Sequence, residues 1–141
     1  MITNPEVQEL LSHCHGYAAD LLMETGELFP FGASMDASGR TSHREYEIDL
    51  KKIPSNGEII ENLLAVFEEE FKAGELKAYS LVYEVRIKLD ENTTTDAFAI
   101  DIKHRDSEEI PVFYYPFTIE ENENVVFGET FAVKRSATNL W

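Results

Sequence analysis

Cysteine, basic side chains, long apolar runs and familiar catalytic motifs are all scarce in this chain. A single cysteine, Cys14, among 141 residues leaves no internal disulfide to be made. With no basic-then-apolar leader pattern at the first residues, this gives the expectation of a cytoplasmic protein. No apolar run approaches the ~18–20 residues that span a bilayer, and neither end carries a lipidation motif, so no membrane association is expected. The 12 lysines and arginines are outnumbered by 27 aspartates and glutamates, for a formal net charge of −15. Residues 1–76 hold 15 acids and 5 bases and residues 77–141 hold 12 and 7, so the excess runs through the whole chain. Such a surface repels nucleic-acid phosphate, which excludes a nucleic-acid partner, and attracts a basic protein. The same charge also serves solubility.

The missing motifs narrow the chemistry. No G-x-S-x-G elbow occurs, no G-x-x-x-x-G-K-[ST] or G-x-G-x-x-G phosphate cradle, and no H-E-x-x-H or C-x-x-C metal spacing. No catalytic residue, metal ligand or cofactor is assigned. His13-Cys14-His15 invites a metal reading, but two histidines two residues apart on a helix point to nearly opposite sides. Cys14 itself falls on the apolar stripe, where a thiol packs as a small hydrophobe.

What is present describes one domain over residues 1–141, a length that buries a core without staples. Asn4-Pro5-Glu6 reads as a helix start, and Val7, Leu10, Leu11, Cys14, Tyr17, Ala18, Leu21 and Leu22 follow helical spacing up to Gly26. Phe31, Ala33 and Met35 alternate with Gly32 and Ser34 as in a strand. Asp36-Ala37-Ser38-Gly39 supplies the residues of a tight turn. The return strand, His43 to Ile48, is largely polar and is expected at a sheet edge. Ser55 and Glu58 form a capping box ahead of a second amphipathic helix, from Ile59 to Phe71, ended by Gly74. Glu70 falls inside the apolar arc of that helix; its carboxylate is expected to splay to solvent from the final turns, and only a buried, functional carboxylate there requires a cation or a raised pKa.

From Lys77 onward the pattern is strand-like. Tyr79 to Leu89, Ala97 to Arg105, Ile110 to Phe117 and Val125 to Val133 are joined by short polar turns, which makes neighbours antiparallel. The expected fold is an α+β two-layer sandwich: an antiparallel sheet of five to six strands with both helices on one face, in the order α-β-β-α-β-β-β-β. In element order it resembles the profilin-like and roadblock-like architectures. The segment 110–117 is apolar on both faces. It is expected either to be covered twice or to meet a partner, and with Trp141 it suggests self-association.

The sheet face turned away from the helices is expected to gather Glu84, Arg86, Lys88, Asp101, Lys103 and Arg105 with Val112 and Tyr114. If that face is solvated, its charges are ordinary cross-strand ion pairs, which is the favoured reading; if it is a site, Arg86, Arg105 and Tyr114 are equipment for an anionic small molecule or an acidic partner. His104, at a strand end, is expected to be a hydrogen-bonded rim histidine; with Asp101 and Glu70 it is one of the groups an acid/base enzyme would use if two of them converged. The favoured reading is a non-enzymatic acidic domain that binds a protein partner or itself, of immunity or regulatory type. Anionic-ligand binding is the alternative. Finally, F-P-F-G-A-S-M-D-A-S-G at 29–39, I-K-H-R-D-S at 102–107, V-F-Y-Y-P at 112–116 and F-G-E-T-F-A at 127–132 resemble landmarks of a family of small bacterial proteins without an established activity. That resemblance implies a bacterial, cytoplasmic protein and transfers no site residue.

Overall fold

Both helices start and stop where their end residues dictate. In the computed structural model, which describes residues 4–47, 51–107 and 110–134, α1 spans Pro5–Thr25. The Asn4 side chain accepts from the Glu6 backbone N–H, and Gly26 closes the helix in the left-handed region at φ 73°. α2 spans Asn56–Lys72, with the Ser55 hydroxyl accepting from the Glu58 N–H at 3.2 Å. Between them, β1 (Phe31–Asp36) and β2 (Thr41–Glu45) form the expected hairpin. One Asp36 carboxylate oxygen accepts from the Ser38 and Arg40 N–H groups and from the Ser38 hydroxyl, and Gly39 sits at φ 91°. The strand-like residue Ile48 and the terminal Trp141 lie outside the described residues.

The remaining strands are β3 (Leu76–Lys88), β4 (Thr94–His104), β5 (Val112–Ile119), β6 (Val125–Phe127) and β7 (Phe131–Val133). They complete a seven-stranded antiparallel sheet in the order β2-β1-β3-β4-β5-β6, with β7 also pairing β5. The polar strand β2 is an edge, as its composition predicts. The expected last strand is broken in two, which raises the count above six. Phe117 pairs with Phe127 and Tyr114 with Phe131, so residues 128–130 face only Tyr115 and Pro116. Pro116 has no N–H to donate to a ladder, and the chain bulges opposite it. The Gly128 N–H still donates to the Pro116 carbonyl at 2.8 Å, and a Cβ on Gly128 would lie 3.2 Å from the proline ring.

The α+β class and the antiparallel sheet are as expected, but the layering is different. α1 buries Val7, Leu10, Cys14, Ala18 and Leu22 against Phe31, Val82, Phe98 and Ile100 on one face. α2 buries Ile59, Leu63 and Phe67 against Tyr79, Leu81, Tyr83 and Ala99 on the other. The sheet lies between the helices because of the β3–β4 register. Its turn pairs Lys88 with Thr94, which sets Val82 opposite Ile100 and Leu81 opposite Asp101. Even-numbered residues of both strands then share one face and odd-numbered residues the other. Each face inherits an apolar stretch that needs its own helix. β5, with β4 on one side and β6 and β7 on the other, is interior, and its two apolar faces are absorbed by packing within the chain.

Gly32 shows how closely α2 approaches. A Cβ there would meet the Ser80 carbonyl oxygen at 2.2 Å and the Phe67 ring at 2.9 Å. Gly32→Ala is therefore expected to destabilise the fold by about 1–3 kcal/mol or more, read from the urea midpoint at constant slope.

Candidate functional site

The sequence-derived candidates do not share one face. Arg86 and His104 lie on the α1 side of the sheet, whereas Glu70, Asp101, Arg105 and Tyr114 lie on the α2 side. Grouping Arg86 with Asp101, Arg105 and Tyr114 assumed a β3–β4 register that placed the apolar residues of both strands together; the observed parity is the opposite and separates Arg86 from the other three. Even Arg86 and His104 are separated along the sheet, since Arg86 pairs with Asp96 and His104 with Ala78. That is about 26 Å of strand at ~3.3 Å per residue.

Each candidate has local partners. Arg86 is exposed, 3.8 Å from Asp96 and 3.4 Å from the Thr94 hydroxyl. Arg105 lies 4.2 Å over the Phe71 ring and donates to the Phe71 and Leu76 carbonyls, closing the C-terminal end of α2. Asp101 is buried near Tyr114, whose phenol is pushed up by burial and then by the Asp101 charge. Glu70 does not splay freely to solvent as expected: Arg44 grips it in a fork, with distances of 3.0 and 2.8 Å. The same guanidinium lies 5.4 Å over Phe67 and donates to the Ser34 hydroxyl. His104 is buried. Its Nδ1 accepts from the Asp106 backbone N–H at 3.0 Å, so Nε2 carries the ring proton and donates to Glu6 at 2.9 Å. Lys77 donates to the other Glu6 oxygen at 2.9 Å, and this chain of contacts ties the start of α1 to the ends of β3 and β4. Cys14 is equally structural: its Sγ lies 3.0 Å from the Ser80 hydroxyl, and burial pushes the thiol up to about 12, which makes it a poor nucleophile.

Two features were not legible in the sequence. The first is a polar zipper between α1 and β2. Glu9, His13 and Tyr17 recur every fourth residue on the helix, and Thr41, His43 and Glu45 every second residue on the strand. Four helical residues rise ~6.0 Å and two strand residues ~6.8 Å, so the two series stay in step. Three rungs form: the Thr41 hydroxyl donates to Glu9, His13 Nε2 lies 3.0 Å from His43 Nδ1, and the Tyr17 hydroxyl donates to Glu45. His43 Nε2 also contacts Glu45 at 2.9 Å, and the Tyr17 and His43 rings are 4.1 Å apart. Glu45 draws the Tyr17 phenol up to about 12, so the phenol stays a donor. The Tyr17 and His43 hydrogen bonds hold the Glu45 carboxyl low, and burial followed by the His43 charge lowers His13. With Glu45 ionised, a neutral His43 carries its proton on Nε2 and accepts from His13 at Nδ1. The signal was present as matched spacings, but Tyr17 reads as part of the apolar stripe and His13 as an isolated surface histidine.

The second feature is an open groove of about 480 Å³ at the β5 bulge, lined by Leu89, Thr95, Pro116, Thr118, Val126 and Phe131 among others. It lies on the α2 side, where α2 packs over β3 and β1. Phe131 stacks on Tyr114 at 5.3 Å and forms one wall. One acid, Glu129, lines it; Asp90 and Glu91 follow Leu89 in the chain, and Glu120, Glu121 and Glu123 occupy the β5–β6 turn at the same end of the sheet. Among the described residues, no three His, Cys, Asp or Glu side chains converge as a metal centre.

Lys77 first and His104 second hold the Glu6 carboxyl below the usual carboxylate range. A depressed folded pKa contributes stability that is fully present above the unfolded value of about 4.3 and is lost as pH falls through the folded one. Glu6→Gln should therefore lower stability at neutral pH, and the gap to the parent should close on acidification, as followed by urea unfolding across a pH series. In a double-mutant cycle of Arg44→Ala with Glu70→Ala, we expect a coupling of about 1–2 kcal/mol, above the surface-pair range because the fork is partly buried.

Comparison with protein-family models, with curated proteins and with solved structures finds no match to this chain.

Proposed function

We propose that this chain is a non-enzymatic interaction domain that seats a basic, amphipathic protein segment in the groove beside β5. The observation that carries this reading is the combination of an apolar floor with acids at the same end of the sheet. Leu89 and Val126 are 54% and 51% exposed, and Phe127 and Phe131 are 39% and 38% exposed. Clustered large apolar side chains of this kind supply the anchors that dominate interface energies. Glu129 and the other five acids favour a partner that brings lysine or arginine beside its apolar residues, and the net charge of −15 steers such a partner from a distance. The same acids disfavour an anionic small molecule and a second copy of this chain, which would set acid against acid. An immunity-type role toward a basic toxin is one form that fits, and a cytoplasmic setting fits the single buried thiol.

The test uses a labelled lysine/leucine helical peptide and fluorescence anisotropy. We expect saturable binding that weakens between low and high salt and drops at least tenfold in Val126→Asp, an exposed position whose change leaves the fold intact by circular dichroism. Equal affinity in Val126→Asp would mean that the peptide reads bulk charge, and the groove assignment would fall.

A further inference from the structure

We infer that His13 and His43 form a two-imidazole binding site for a borderline divalent transition-metal ion such as zinc, nickel or copper. The two nitrogens that face each other, His13 Nε2 and His43 Nδ1, are 3.0 Å apart. Bonds of about 2.0–2.1 Å to a tetrahedral ion place two nitrogens about 3.3 Å apart, so a small rotation of the rings admits the metal in place of the shared proton. The outer nitrogen of His43 is already held by the Glu45 carboxylate at 2.9 Å. A carboxylate on the far side of a ligating imidazole fixes its tautomer and raises its basicity, which is the arrangement metal-bound histidines use. Glu45 is itself oriented by the Tyr17 hydroxyl, so the support extends one layer further.

Three other observations bear on the site. The ligands sit on α1 and β2, two regular elements held in step by the Glu9–Thr41 and Tyr17–Glu45 rungs, so little ordering is required on binding. Both rings are only partly buried, which leaves an entry path. Water completes the coordination shell of this two-histidine site. The neighbouring residues take no part: Cys14 points into the core toward Ser80, and His15 packs at 4.7 Å on Tyr115 on the other flank of the helix. The site thus joins one histidine of the His13-Cys14-His15 run to a histidine thirty residues away, not to its sequence neighbour.

The full chain is titrated with zinc sulfate and, separately, nickel chloride, by calorimetry and by thermal denaturation. We expect one ion per chain in the micromolar range and a rise in melting temperature that saturates with metal. His13→Gln and His43→Gln, chosen to keep a polar rung, should each remove the tight ion. Glu45→Gln should weaken it about tenfold or more, and Cys14→Ser and His15→Ala should leave it unchanged. Zinc-induced shifts of the His13 and His43 ring nitrogens in NMR spectra give a readout independent of stability. Absence of saturable binding at millimolar zinc overturns the inference, as does binding that survives both histidine variants, since the surface carboxylates would then be the ligands.

Discussion

The hydrogen-bond register between β3 and β4 governs most of this molecule. By pairing Val82 with Ile100 and Leu81 with Asp101, it distributes apolar side chains to both sides of the sheet instead of concentrating them on one. Once both faces are apolar, a single helical layer cannot cover them, and α1 and α2 must part company. The close approach of Phe67 to Gly32 then belongs to one layer and the Cys14–Ser80 contact to the other. A slip of one residue would exchange the faces of every side chain on a strand, so the turn at Leu89 to Thr93 carries a disproportionate share of the specification.

Short-range features were readable from the sequence because they depend on neighbours in sequence. Asn4, Gly26, Ser55 and Gly39 act through hydrogen bonds or backbone conformations that span at most four residues, and each performs the role its chemistry suggests. Glu70 was expected to splay to solvent, because the residue that holds it instead, Arg44, lies across the fold. The helix layering was not readable, because Tyr79, Leu81 and Tyr83 and the separate series Phe98, Ile100 and Ile102 look equally suited to a common face. Only the parity of one turn decides between them. The zipper was hidden for a related reason. It is a coincidence of two periods on elements brought together by the tertiary structure, and neither period is apolar.

The polar side chains divide by task. Glu6, Lys77 and His104 fasten the start of α1, Arg44 and Glu70 fasten α2 to the hairpin, and Arg105 closes the end of α2. These side chains are committed to holding elements together. The His13–His43 rung and the groove are different, since each offers groups whose geometry suits an additional occupant. The two lie at opposite margins of the sheet, one beside β2 and one beside β5, and so an ion at one leaves the other sterically accessible.

The bulge opposite Pro116 also bears on how the protein stays dispersed. A sheet must end somewhere, and an uninterrupted outer strand of nine residues, from Val125 to Val133, would present a long row of backbone donors and acceptors to any extended chain nearby. The proline and the extra residue facing it cut that row into β6 and β7, each three residues long and offset from the other. Neither piece is long enough to template a foreign strand, and the kink between them prevents the two from acting as one. The irregularity that opens the groove is thus also a guard against edge-to-edge aggregation, at the margin where exposed apolar side chains make such protection most necessary.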